Sequence, residues 1–413
     1  MDRMTGKFLA ALLLVLCLCL CGANGFLSAA QGAKGGTRRC DALATRRHLD
    51  VTSLQLSPSV VSIGDILLDC IATADARGLS LAEMVETDSW NAFPGGANAN
   101  VATACSKLGT NTAFVGCVGA DDDGDQLELL LQESDVDTSL MQRSNRFPTR
   151  RVMVTRSSQD IPGFAGFWEG RSAGTFADCD LDGANMLEQD NDLHIIDRAS
   201  WLVCGTLSLA YEKSRDAVYK FVERGLSQGN NTRLYVDVNW RQAFWPSDGE
   251  DLARKEIMKF TQQASIIKMT DEEVEWLLGI PAAEALSNPQ SVHSQHFPNA
   301  LGVLLTAGEN GVAWSLLGSV GHMEAFSVDV VETTGAGDAF TAGFLHSLMA
   351  MEGPDLIDLR NQSVPEKERN EIIFALLEFA CAVAALTCTK EGAIPAQPTY
   401  DEVESFLSRK SKI

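Results

Sequence analysis

Short β-branched runs alternating with helical stretches from Ser59 onward predict an α/β protein. Its core is a central, mostly parallel sheet with helices on both faces, joined by a small β-sheet lid. Three observations carry that expectation. The strand–helix–strand spacing recurs along most of the chain, as βαβ units require. Apolar residues fill 45% of 413 positions, enough for a large core. Two stretches, Cys70–Phe93 and Pro148–Gly170, break the rhythm; the second contains the alternating run RRVMVTR, which suits short strands in a separate sheet.

Taken in order, the predicted strands are Val60–Ile63, Thr112–Val118, Trp201–Cys204, Leu234–Val238, Ile266–Met269 and Gly302–Thr306. Helices are predicted at Ala97–Leu108, Lys213–Gly225, Asp251–Ala264 and Asp271–Leu278. The acidic, weakly patterned segment from Phe176 to Asp197 reads as surface loop. A further strand, Phe326–Val331, is expected to run into a Gly-rich turn and then a helix.

The first 57 residues have a different character. Arg3 and Lys7 precede an apolar run from Phe8 to Gly22, and Ala23 and Gly25 stand where a signal would be cut after Gly25. The run is shorter than the roughly 20 residues of a spanning helix, so residues 1–25 read as a cleaved signal. Residues 26–57 are rich in Ala, Gly, Ser, Thr and Arg, with only Asp41 and Asp50 as acids, which is transit-peptide composition. Together they resemble the two-part leaders of algae with secondary plastids; a secretory signal followed by a disordered linker is the alternative. The expected organisation is therefore leader 1–25, transit-like segment 26–57, catalytic domain 58–408 with its lid at about 70–93 and 148–170, and a tail 409–413.

Charge and cysteine usage bound the function. A net charge of −22 argues against a nucleic-acid partner, which would need a basic face. Nothing after the leader calls for a membrane. Of eleven cysteines, the seven beyond residue 57 are scattered, odd in number and without CxxC spacing. They fit buried thiols in a reducing compartment better than a disulfide scaffold or a zinc site.

The strongest chemical signal is Glu332-Thr-Thr-Gly-Ala-Gly-Asp-Ala-Phe340, followed by the helical TAGFLHSLMA. A glycine turn opening onto a helix leaves the N–H groups of Gly335, Ala336 and Gly337 free to bind an anion. Asp338, in the first helical turn, can serve as a general base beside that nest, or simply as a helix-stabilising acid.

These residues resemble the signature of the PfkB family of carbohydrate kinases, and the likeness extends from about Ser59 to Leu407. The resemblance implies a ribokinase-like fold, ATP and Mg²⁺ as cofactors, K⁺ as an activator, and a small sugar as substrate. Asp338 would be the base and Gly335, Ala336 and Gly337 the anion hole. GDILLD (Gly64 to Asp69) matches the family's first strand, which would place Asp69 on sugar hydroxyls. GGANAN (Gly95 to Asn100) matches a Gly-Gly-x-x-x-Asn turn, giving Gly96 and Asn100 to the sugar. The run Val115 to Gly124 follows VGxVGDDxFG imperfectly, with Asp123 at the aromatic position.

Later landmarks keep the family's order. Arg241, in DVNWR, would face the phosphate path and bind substrate. Thr270 and Glu273 match Asn-x-x-Glu, with Thr270 at the nucleotide and Glu273 holding Mg²⁺ through water. Thr306, Gly308 and Gly311 match the TxGxxG turn at the nucleotide phosphates, and TCTKEGA (Thr387 to Ala393) borders the nucleotide and a monovalent cation. Glu332 stands where the family usually has Asp at that cation site.

PTRRVMVTR, FAGF, DVNWRQAFW and EEVEWLLG look most like fructokinases, including plastid ones. Ribose, a nucleoside or a sugar acid are the other substrates open to such a kinase. A non-catalytic interaction module of a plastid complex is the non-enzymatic rival, against which the intact base and turn argue. GxxxxGK[ST], HExxH and a strand-following GxGxxG are all absent from the sequence, which disfavours a P-loop kinase, a metalloenzyme of that type and a dinucleotide enzyme. Monomer and homodimer both remain open.

Overall fold

The structure, a computed structural model, describes residues 59–410 apart from 74, 75, 77, 78, 88, 157–161, 185–193, 228–230, 352–355 and 362. The expected leader and transit-like segment, residues 1–57, lie outside the described residues.

Strands run in chain order as β1 (Val60–Ile63), β2 (Leu67–Ala72), β3 (Trp90–Gly95), β4 (Thr112–Val115), β5 (Cys117–Gly119), β6 (Val136–Asp137), β7 (Gln142–Ser144) and β8 (Arg151–Arg156). They continue as β9 (Pro162–Phe167), β10 (Trp201–Cys204), β11 (Arg233–Asp237), β12 (Ile266–Thr270), β13 (Gly302–Thr306), β14 (Val312–Leu316) and β15 (Ser319–Met323). Nine form the main sheet in the order β15-β14-β13-β12-β11-β10-β1-β4-β6. Neighbours pair in parallel except at β13–β14 and β14–β15, which are antiparallel.

Period-2 alternation explains why this sheet is covered on both sides. Leu202 and Cys204 point into one core with Val236, Ile267 and Val303, under the helices Glu212–Ser227 and Glu250–Thr261. Trp201 and Val203 point into the other, with Tyr235, Ile266 and Leu304. That second core is roofed by helices Ala97–Lys107, Ala336–Ala350 and Glu366–Thr387. The last of these is long and apolar enough to cross a membrane by composition alone. It instead buries Ile373, Leu377, Ala380, Cys381 and Val383 in this core, as a central helix of a globular fold does.

A second sheet, β3-β2-β8-β9, takes strands from both stretches that break the βαβ rhythm. Its β2 leaves β1 through a three-residue turn at Gly64, Asp65 and Ile66, so Asp69 lies inside a strand of the small sheet. β5 and β7 form a third, two-stranded sheet.

Three expectations need correction. Thr112–Val118 is not one strand: it breaks at Gly116 into β4 and β5, which join different sheets. Phe326–Val331 forms no strand: at its end the amides of Val331 and Glu332 both donate to the single carbonyl of Cys388 instead of to the alternating partners of a ladder. The segment from Phe176 is not surface loop at its start. Phe176, Ala177, Cys179 and Leu181 are buried, and Asp178 forms an ion pair at 2.9 Å with the buried Arg150.

Candidate active site

The carboxyl ends of β1, β10, β11, β12 and β13 open on one side of the main sheet, where α/β sheets take their ligands. Helix Ala336–Ala350 starts there from Gly335, whose φ of 78° is open to glycine at little cost. A side chain at Gly335 would also meet the Cβ of Ala393 at 2.8 Å. The N–H of Ala336 donates to Thr333 O at 3.2 Å, so Ala336 contributes less to the nest than the sequence implied. Among the described residues no acceptor reaches the amides of Gly335 and Gly337. They remain as anion donors at a helix N-terminus.

Asp338 follows in the first turn and is buried, with 8% of its surface exposed. Its Oδ2 accepts from Asn100 Nδ2 at 2.8 Å. Burial first, then the Asp237 carboxylate, push its pKa up to about 7; the Asn100 bond and Lys268 work the other way. A carboxyl held near neutrality is poised to take a proton from a hydroxyl at physiological pH.

Asn100 is delivered by helix Ala97–Lys107, which starts from Gly96 at φ 101°. A Cβ on Gly96 would sit 2.7 Å from both Asp65 O and Ile66 Cα, so helix and turn meet at a position that excludes side chains. Asp65 Oδ2 accepts the N–H of Ala97 at 2.9 Å, while its Oδ1 is buried without a partner. Burial, with Asp178 next, raises Asp65 to about 6. Asp69 is raised to about 7 by burial, then by the charges of Asp65 and Glu332. Asp65 acts on both Asp69 and Asp338, so the three raised acids form one electrostatically linked cluster.

Beside the glycine turn lies a cavity of about 890 Å³. Thr270, Thr306, Gly308 and Gly311 all line it, together with Ala336 and Gly337. Its far wall is apolar: Phe326, Val328 and Val330 from the segment after β15, and Cys381, Ala384 and Cys388 from the helix ending at Thr387 and its cap. A phosphate-sized polar end and a base-sized apolar end suit a nucleotide.

Thr270 and Glu273 begin helix Asp271–Leu278 as a reciprocal capping box. Glu273 Oε2 accepts from the Thr270 amide and its Oε1 from the Trp240 amide, both at 2.9 Å. Among the described residues no group of three His, Cys, Asp or Glu could hold a metal ion. Both Glu273 oxygens are taken by backbone amides, so a Mg²⁺ held on nucleotide phosphates would meet this carboxylate through water. Arg241 has not been brought to Asp338: its guanidinium, 58% exposed, donates to Trp240 O and lies 3.7 Å from Glu273.

Glu332 spans two loops. Its Oε2 accepts from Gly392 N at 2.8 Å and its Oε1 from the Thr334 hydroxyl at 2.6 Å. The extra methylene relative to Asp is what carries the carboxylate towards the loop at Gly392. An oxygen donor fixed between loops fits a hard cation such as K⁺.

Sequence reasoning did not single out Asp65, Asp237, Lys268 or the apolar wall. Asp65 was readable as the acid in the Gly-Asp turn after β1. Lys268 and Asp237 were readable as charges inside buried strands, where a charge needs a reason. The wall residues carried no signal, since SVDVV looks like any strand.

With this geometry in hand, comparison with known proteins gives a consistent answer. The family model described as pfkB family carbohydrate kinase matches residues 57–400. The chain is similar to the "Probable fructokinase-2" of Arabidopsis thaliana, 36% identical over 350 residues, covering 84% of this chain and 95% of that protein. It is also similar to "Probable fructokinase-6, chloroplastic" of the same plant, 33% identical over 355 residues, covering 86% and 84%. Among solved structures it resembles the fructokinase of Xylella fastidiosa with bound ATP, at 26% identity and TM-score 0.71, covering 86% of this chain and all of that one.

Proposed function

The chain belongs to the pfkB family of carbohydrate kinases, and from that premise we propose that it transfers the terminal phosphoryl group of ATP to a hydroxyl of fructose. The observation that carries the reading is the position of Asp338. It follows a glycine turn whose remaining amides suit an anion, and it accepts from Asn100 within the cluster of raised acids. In the reaction a sugar oxygen attacks the terminal phosphorus and the bond to the leaving ADP oxygen breaks. The hydroxyl proton passes to the Asp338 carboxylate. Gly335 and Gly337 hold the transferring group as its charge redistributes. Mg²⁺, when bound, neutralises phosphate charge.

The acid cluster also discriminates. Asp65, Asp69 and the buried, unpartnered Asn100 Oδ1 offer acceptors to hydroxyl donors. A sugar acid would bring its carboxylate against these acids, so a neutral sugar fits better. Relatives named as fructokinases support fructose within that class. In this reading the small sheet β3-β2-β8-β9 is the lid of the sugar site, the kinase domain spans 58–408, and residues 1–57 address the protein to a plastid, as the name of one relative supports.

A coupled assay for ADP across fructose, ribose, adenosine, glucose and 2-keto-3-deoxygluconate tests the reading. Fructose should give the highest kcat/KM. Turnover of 2-keto-3-deoxygluconate above fructose, or no turnover of any sugar, would overturn it.

A further inference from the structure

Lys268 lies in the middle of β12, only 3% exposed, with its ammonium 2.6 Å from Asp237 Oδ2 on β11. A long cation is rarely placed in a parallel strand, since burying it costs several kcal/mol unless paired. Its direction is informative. A Cβ added to Gly337 would stand 3.1 Å from Lys268 Nζ, so the ammonium packs directly beneath the amide-bearing turn of helix Ala336–Ala350. The Thr341 hydroxyl, one helical turn on, lies within reach of both Gly337 O (3.2 Å) and Asp237 Oδ2 (3.4 Å). The turn, the lysine and the aspartate thus form one unit.

We propose that Lys268 is a positioning residue for phosphoryl transfer: Asp237 fixes its ammonium under Gly337, where it adds positive potential to the anion-binding turn. The inference rests on the proposed reaction. It assigns the lysine a role through Gly337 and Asp338 rather than by contact with substrate. A fixed charge in a water-poor site acts at greater strength than in solvent, and without reorganising as the phosphoryl group moves. Burial opposes the charge on Lys268, but Asp237 and then Glu273 outweigh it and hold the ammonium protonated. The charged and polar groups acting on Asp338 are Asp237 on β11, Asn100 on helix Ala97–Lys107, Lys268 on β12 and Asp65 in the turn after β1. Only Asn100 and Lys268 favour its carboxylate form.

Two variants test this. Lys268→Met leaves Asp237 buried and unpaired, so it is expected to lower both stability and kcat. Its acid limb of kcat against pH should move to higher pH, because Asp338 loses a cation while Asp237 remains. The double variant Lys268→Met/Asp237→Asn removes both charges, and paired removal of buried ions is tolerated far better than removal of one. Its melting temperature should return towards wild type, and so should the acid limb. Its kcat with fructose should stay about 10²- to 10³-fold down, with KM for fructose little changed, on the scale of a lost oxyanion-hole contribution. Recovery of kcat along with stability would show that Lys268 only fills its strand and would overturn the proposal. Wild-type protein that turns over no sugar would instead defeat the proposed reaction, so the two failures are distinguishable.

Discussion

Asn100 Nδ2 donates to Asp338 Oδ2 at 2.8 Å, joining two buried residues 238 positions apart. The bond couples helix Ala97–Lys107 to helix Ala336–Ala350, which bears the proposed base. It also stabilises the charged form of an acid whose burial pushes the other way. Asn100 is itself braced by Gln397, whose Nε2 donates to the Asn100 backbone carbonyl at 2.8 Å.

Asn100→Ala should therefore change the pH profile as well as the affinity. A hydrogen bond to a charged group is worth about 1.5–3 kcal/mol, or roughly one to two pH units. Losing it raises Asp338 above its present value of about 7, so more of the base is protonated at neutral pH. kcat at pH 7 should fall about tenfold or more and recover in part at pH 9. A kcat profile of unchanged shape, with only KM raised, would confine Asn100 to sugar binding.

Gly96 and Gly109 give a matched pair, since both have φ near +100°. At Gly109 nothing lies within 4 Å of an added Cβ, so Gly109→Ala should cost only the left-handed penalty of about 1–2 kcal/mol. At Gly96 the same atom meets the backbone of Asp65 and Ile66, and neither can move without shifting the turn. Gly96→Ala should lose clearly more in urea unfolding, and should cost activity by displacing Asn100. Equal costs at the two sites would mean that the turn relaxes freely.

Much of this was legible in the sequence, and the reasons are physical. β1, β10 and β13 matched their expected limits because buried parallel strands are short β-branched runs with few polar residues. The glycine turn was legible because an anion nest needs small residues ahead of a helix. Thr306, Gly308 and Gly311 followed from the resemblance to a TxGxxG turn, and they line the cavity beside the glycine turn. The position of the Arg241 guanidinium beside Glu273 was not legible, because neighbours in sequence do not fix where a long side chain points. Asp65 was missed because a turn acid usually caps a local amide, whereas this one accepts from Ala97, 32 residues away. Lys268 was missed because its contact with Gly337 exists only once β12 and helix Ala336–Ala350 are side by side.

Glu332 makes a prediction about cations. Its carboxylate already links the loop before Gly335 to the loop at Gly392. Activity should rise in K⁺ over tetramethylammonium, and Glu332→Asp, one methylene shorter, should lose the Gly392 contact and depend on K⁺ at least as strongly. Glu332→Ala should lower the melting temperature and abolish the response. Equal rates in both cations for all three proteins would exclude a functional cation site here.

Residues 1–57 combine an apolar run with a basic, acid-poor segment. A fluorescent protein fused behind them should accumulate in plastids of an alga with secondary plastids. Export to the medium would favour the secretory alternative.

Asp338→Asn separates catalysis from stability in a single variant. Asparagine keeps the size and can still accept from Asn100, but it cannot take a proton from the sugar. kcat should drop by about 10²–10⁴, with ATP binding retained because the cavity lining is untouched. Stability should move the other way, with a sign set by pH. Below about pH 4 Asp338 is protonated in both the folded and unfolded chain, so the substitution changes little. Between about pH 4 and 7 the unfolded chain releases this proton while the folded protein keeps it, so wild-type stability falls as pH rises. Above pH 7 the folded protein carries a buried charge, and a rise from 3.8 to about 7 corresponds to a penalty of at most about 4 kcal/mol. Asp338→Asn should therefore raise the melting temperature at pH 8 and leave it nearly unchanged at pH 4, provided both are read by the same thermal scan. A variant that is inactive and also less stable at pH 8 would mean that Asp338 holds the helix terminus together, and that its burial is structural rather than a cost borne for the reaction.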